Sequence, residues 1–122
     1  MGNLSEYMSS PVITILPTKT VVEAAQLMAE KNIESLVVSW GKDAVGILTE
    51  KDIARRVVAK ELPYSTQVLE IMSKPVITIN VNAYVEDAVK MMRDNSVKRL
   101  PVEDKGTING IITASDLAHL MR

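Results

Sequence analysis

What most constrains this chain is that it is written twice. GILTEKD, Gly46 to Asp52, returns 64 residues later as GIITASD, Gly110 to Asp116, and at the same interval MSSPVITI (8–15) returns as MSKPVITI (72–79). No gap is needed, and about a third of the aligned positions are identical, so the chain is two copies of one unit. The division predicted is 1–66 for the first repeat with its N-terminal segment and 67–122 for the second. A unit of about sixty residues is marginal alone, so the two are expected to pack about a pseudo-twofold axis as one compact module.

Each copy parses in the same order. Val12 to Ile15 is a short β-branched run, and Thr20-Val21-Val22-Glu23 has the spacing of a capping box. Val21, Ala24, Ala25 and Met28 then recur at helical spacing to about Asn32, as do Val85, Ala88, Val89 and Met92 in the second copy. Ser35 to Trp40 and Ala44 to Leu48 flank a polar turn at Gly41-Lys42-Asp43, which predicts a hairpin, and a helix should run from about Glu50 to Lys60. The second copy repeats this with Arg99 to Glu103, Ile108 to Ile112 and a helix from about Ser115. The order is β-α-β-β-α. A helix between the first two strands implies a right-handed crossover and parallel pairing, and the hairpin adds an antiparallel strand. The fold class expected is α+β: two small mixed sheets with helices on one side. Glu61 to Glu70 is the expected connector, with Pro63 ending a helix.

Composition removes several classes of function. With 47% hydrophobic and 24% charged residues the chain is globular in character, and a net charge of −1 with no phenylalanine gives no nucleic-acid signature. No cysteine is present, so thiol nucleophiles, disulfides and thiolate metal sites are excluded. A single histidine, His119, cannot build a histidine metal cluster. No stretch approaches a membrane helix and the N-terminus has no leader pattern, so the expected place is the cytoplasm, without a membrane partner. Met28, Met91 and Met92 read as core, and Met8 and Met72, which begin the repeats, read as packing residues.

The repeated corner is where chemistry can sit. Thr49 and Asp52, and equally Thr113 and Asp116, are spaced to cap a helix reciprocally, a contribution of about 0.5–2 kcal/mol. Gly46 and Gly110 lie inside strands, where glycine costs stability unless something approaches the backbone closely. A second use of the corner has the same geometry. Free N–H groups at a helix start suit a phosphate, and the acid one turn in can accept hydrogen bonds from a ribose diol. Both readings stand at the level of the sequence.

M-S-x-P-V-I-T at the start of each copy, S-L-V-V or L-P-V at the second strand, and G-h-x-T-x-x-D at the end, h being apolar, together resemble the cystathionine β-synthase (CBS) domain. Two in tandem over nearly the whole chain resemble a CBS pair, or Bateman module, here as a small stand-alone protein. The resemblance implies a regulatory, non-catalytic module that binds AMP, ADP or ATP, with S-adenosylmethionine or NAD ranked behind, and that requires no cofactor. It also implies shared clefts. Thr49, Asp52 and Ile47 would face Ser73, Lys74, Pro75, Val76, Val97, Lys98 and Arg99, while Thr113, Asp116 and Ile111 would face Ser9, Ser10, Pro11, Val12, Ile33 and Ser35. Homodimers and an effector protein are further implied partners.

Charge separates the two clefts. Lys51, Arg55, Arg56, Lys74, Lys98 and Arg99 surround the first, and the matching positions of the second hold Ser115, His119, Leu120, Ser10, Glu34 and Ser35. Charge-assisted hydrogen bonds favour the more phosphorylated ligand at Asp52. Two readings compete with a nucleotide sensor. One is a structural dimerisation module with empty clefts; the other is a small enzyme, which lacks any visible triad, metal cluster or glycine-rich phosphate loop.

Overall fold

The computed structural model describes residues 3–9 and 12–118. It resolves into two compact units, Ile13–Val76 on one hand and Met1–Val12 with Ile77–Arg122 on the other. This grouping differs from the repeat division at 66/67, because the leading segment of each repeat is folded into the unit built from the other.

In the unit Ile13–Val76, β1 (Thr14–Ile15) pairs in parallel with β2 (Ser35–Trp40), and β2 pairs antiparallel with β3 (Asp43–Thr49). The sheet order is β1-β2-β3. The crossover between β1 and β2 is α1 (Val21–Lys31), started by the expected capping box of Thr20 and Glu23 and ended by Asn32 in the left-handed conformation. Strand β1 is shorter than the run Val12 to Ile15 predicts, since only Thr14 and Ile15 lie in register with Val37 and Val38. Leu36, Val38 and Leu48 from the sheet and Val21, Ala24 and Met28 from α1 form a buried core, as the helical and strand periodicities require.

The helix expected over 50–60 is differently built. Regular α2 spans only Glu50–Ile53, and a π-helical turn follows over Ala54–Val58. There Ala59 N–H donates to the Ala54 carbonyl at 2.9 Å and Leu62 N–H to that of Val57 at 3.0 Å, five residues back in each case. Glu61 then turns the chain with a φ of 55°. The expected connector is in part core: a 3₁₀ turn at Val68–Glu70 buries Val68, and Ile71 follows it inside. Lys19 and Pro17 carbonyls accept from the Val68 and Leu69 N–H groups at 2.8 and 3.0 Å, which satisfies backbone that would otherwise be buried unpaired.

The other unit repeats the plan. β4 (Ile79–Asn80) is parallel to β5 (Arg99–Asp104), which is antiparallel to β6 (Thr107–Thr113), and α3 (Val85–Asn95) is the crossover. Its first turn is closed by Asp87, whose carboxylate accepts from the Tyr84 N–H at 2.9 Å. Leu100, Val102, Ile112, Val85, Ala88 and Met92 form the core, with Leu117 from α4 (Ala114–Leu117). Leu4, on a 3₁₀ turn at Leu4–Glu6, is fully buried among them, as Val68 is in its own unit.

Candidate functional site

The repeated corner is the junction of β3 with α2 and of β6 with α4. At the first, the Asp52 N–H donates to Thr49 Oγ1 at 3.2 Å, and the Thr49 N–H donates to Asp52 Oδ2 at 2.9 Å. At the second, the same pair of bonds joins Thr113 and Asp116 at 3.1 and 2.9 Å. The capping use of these residues is therefore real in both copies. It leaves chemistry over. Each threonine oxygen accepts in the cap and keeps its O–H proton to donate, and each carboxylate has its second oxygen outside the cap, which at Asp52 also faces Arg56 Nε at 3.7 Å. Asp52 is only 12% exposed at its side chain, so that oxygen is held in place by its surroundings.

The leading segments come to these corners by one antiparallel bridge each. Ile47 and Ser73 exchange backbone hydrogen bonds at 3.0 and 2.8 Å, and Ser9 and Ile111 do the same at 2.9 and 3.1 Å. Ser73, Lys74, Pro75 and Val76 thus share a unit with Ile47, Thr49, Lys51, Asp52 and Arg55, while Ser9 and Val12 share one with Ile111, Thr113 and Asp116. Ser10, Pro11, His119 and Leu120 lie outside the described residues. Ile33 and Ser35 belong to the unit of Thr49; Ser35 is the register partner of Thr49, and the Glu34 carbonyl accepts from the Glu50 N–H at 3.1 Å. Val97, Lys98 and Arg99 stand in the same way beside Thr113: Arg99 is its register partner, and the Lys98 carbonyl accepts from the Ala114 N–H at 2.8 Å.

The strand glycines are explained by methionine. A Cβ on Gly46 would stand 2.4 Å from the Met72 sulfur, and one on Gly110 would stand 2.6 Å from the Met8 sulfur and 2.9 Å from the Ser9 carbonyl oxygen. What approaches the backbone closely is the leading segment itself. Met8 and Met72 pack, as their positions in the repeats predict.

Arg56 departs from the phosphate role that its charge suggests. It lies one helical turn after Asp52, with Nε 3.7 Å from Asp52 Oδ1, and its Nη1 donates to the Ile71 carbonyl at 3.0 Å and towards that of Met72 at 3.4 Å. Lys51, Arg55 and Lys74 are exposed. An open groove of about 600 Å³ in the same unit is lined by Ile15, Lys19, Glu23, Gln26 and Ser39 among others, at the end of the sheet remote from Thr49, and none of the expected ligand residues lines it. Among the described residues no cluster of three potential metal ligands occurs, and no helix is long and apolar enough to cross a membrane.

The family model for the CBS domain matches residues 4–59 and 68–122. A curated relative, the CBS domain-containing protein YhcV of Bacillus subtilis, is 35% identical over 118 residues, which cover 97% of this chain and 84% of that protein. Among solved structures, the CBS domain protein PAE2072 from Pyrobaculum aerophilum complexed with AMP is 27% identical, with a TM-score of 0.86 over 98% of this chain and 95% of the other. The CBS domain pair of protein MJ0100, in complex with 5′-methylthioadenosine and S-adenosyl-L-methionine, is 28% identical with a TM-score of 0.86 over 98% and 95%.

Proposed function

The chain belongs to the CBS-domain family, with two copies of the domain, and from that premise we propose that it is a non-catalytic regulatory module that binds adenine nucleotides at the Thr49/Asp52 and Thr113/Asp116 corners. The observation that carries this reading is the double use of each corner. The cap consumes one carboxylate oxygen and the acceptor side of the threonine, and it leaves a fixed acceptor for a ribose hydroxyl beside a free hydroxyl donor for a phosphate. Support also comes from two similar CBS proteins, solved with AMP in one case and with S-adenosyl-L-methionine and 5′-methylthioadenosine in the other.

In this reading Ile47 and Ile111 flank the base, and Lys51, Arg55 and Lys74 favour a longer phosphate chain at Asp52. Ser10, Pro11 and Val12 serve the Asp116 ligand, and Pro75 and Val76 the Asp52 ligand. ADP and ATP are preferred at Asp52 and AMP at Asp116. The protein works in the cytoplasm, where such ligands circulate, and reports occupancy to an effector protein. Self-association as a homodimer is part of the reading: Val58 and Tyr64 are 57% and 65% exposed, and apolar area of that kind favours burial against a second copy.

A thermal-shift panel of AMP, ADP, ATP, NAD and S-adenosylmethionine tests it. A ligand at a hundred times its Kd adds about 2.7 kcal/mol to the folded state, which a melting curve resolves. No shift with any of the five overturns nucleotide sensing in favour of a purely structural module. Turnover of ATP proportional to protein concentration would make the chain an enzyme instead. Sedimentation of the free protein as a monomer or a hexamer would remove the homodimer.

A further inference from the structure

One cation of the Asp52 corner is committed to the protein itself. The 3₁₀ turn at Val68–Glu70 closes on the Val68 carbonyl, which accepts from the Ile71 and Met72 N–H groups, and the Ile71 and Met72 carbonyls follow just beyond the turn. The Arg56 guanidinium supplies donors to the Ile71 and Met72 carbonyls while its Nε faces Asp52. Three elements meet in that side chain: the helix that carries the capping acid, the end of the 3₁₀ turn, and the start of the segment that bridges to Ile47. Guanidinium suits this position because its rigid planar fork spreads donors towards a carboxylate and carbonyl oxygens, whereas an ammonium offers its three donors from a single point. At the matching place in the second repeat the sequence has Leu120, which carries no donor.

We propose that Arg56 is a positioning residue: it clamps the 71–76 segment against the Asp52 corner, so that ligand affinity there depends on Arg56 irrespective of how many phosphates the ligand carries. The proposal rests on the nucleotide-binding reading. Its physical basis is preorganisation. A segment already held by two carbonyl bonds and one backbone bridge loses little freedom when a ligand settles on Ser73 to Val76, whereas an unclamped segment must be ordered at the expense of binding energy. Arg55, one residue earlier and exposed as Arg56 also is, is the contrasting case of a cation not tied to the 71–76 segment.

The test uses the full chain with Arg56→Leu, which installs the residue of the second repeat, with Arg56→Lys, and with Arg55→Leu. Adenosine, AMP and ATP are titrated by calorimetry, and amide hydrogen exchange is followed without ligand. Arg56→Leu is expected to weaken all three ligands at one of the two sites by a common factor of about tenfold. It should also speed exchange at the Ile47 and Ser73 amides while the core amides of Leu36 and Leu48 keep their rates, which a merely global loss of stability would not do. Arg56→Lys should fall between wild type and Arg56→Leu in both readouts. Arg55→Leu should weaken ATP more than AMP and leave adenosine unchanged. A loss in Arg56→Leu that grows with phosphate number, or Ile47 and Ser73 exchange at the wild-type rate, overturns the clamp. Wild-type protein that binds none of the three overturns the proposed function and with it the influence of Arg56 on affinity, whatever exchange shows.

Discussion

The two repeated corners share a backbone and differ in what surrounds it. Thr49 with Asp52 and Thr113 with Asp116 make the same reciprocal cap to within 0.1 Å, and a methionine lies over a strand glycine beside each. Around Asp52, however, an arginine one turn on ties the acid to the incoming segment, and the sequence surrounds it with further cations. In the unit of Asp116 the positions matching Lys51, Arg55, Arg56 and Lys74 hold Ser115, His119, Leu120 and Ser10, while Lys98 and Arg99 stand beside Thr113. The comparison teaches that the repeat preserved what folds the unit and released the charges around it. Capping and seating errors cost stability in either copy, while charge on an exposed surface costs almost nothing to change.

The largest effect tests whether the units are equivalent as folds. Leu36→Ala and Leu100→Ala, at matching and fully buried positions, should each cost about 2–5 kcal/mol in urea denaturation. A difference between them larger than that range would mean that the two cores are not built alike. Next come the glycines. Gly110→Ala should cost more than Gly46→Ala, both within about 1–3 kcal/mol, because the new methyl at 110 meets a backbone carbonyl as well as a methionine, and at 46 its nearest atoms belong to the Met72 side chain. Thermal melts that rank them the other way would show that the Met72 seat is the stiffer.

Smaller in stability and larger in information are the acids. Asp52→Ala and Asp116→Ala should each lose about 1 kcal/mol of capping in melts without ligand. With ATP titrated in, Asp52→Ala should lose the greater affinity; equal losses would erase the asymmetry between the corners. The smallest effect concerns a cap remote from both. Glu23 has its pKa held below the ordinary value by the Thr20 backbone N–H, and then by the Thr20 hydroxyl and Lys19. A depressed carboxylate contributes stability above its unfolded pKa of about 4.3 and loses it as pH falls through the lower folded value. Wild type should therefore exceed Glu23→Gln in melting temperature near neutrality, and the gap should close in acid. A gap that persists below pH 3 would assign the effect to something other than this carboxylate's charge.

Much of this could be read before any coordinates. The duplication, the capping boxes, the hairpins and the parallel crossover all follow from interactions between residues a few positions apart, whose periodicity and spacing are visible in the letters. Thr49 and Asp52 were recognisable for the same reason. The partner of a glycine is not of that kind: Gly46 announced a close approach, and only folding chose Met72, 26 residues away, rather than a ligand. Arg56 was legible as a charge and illegible as a clamp, since its carbonyl partners at 71 and 72 come near only when the chain has closed a loop around Val57 and Val68. Local propensity and pattern determined which elements form and where they begin. Long-range packing alone decided which segment completes which unit, because burying Val68 and Leu4 where they lie is a property of the assembled cores and of no stretch of sequence taken by itself.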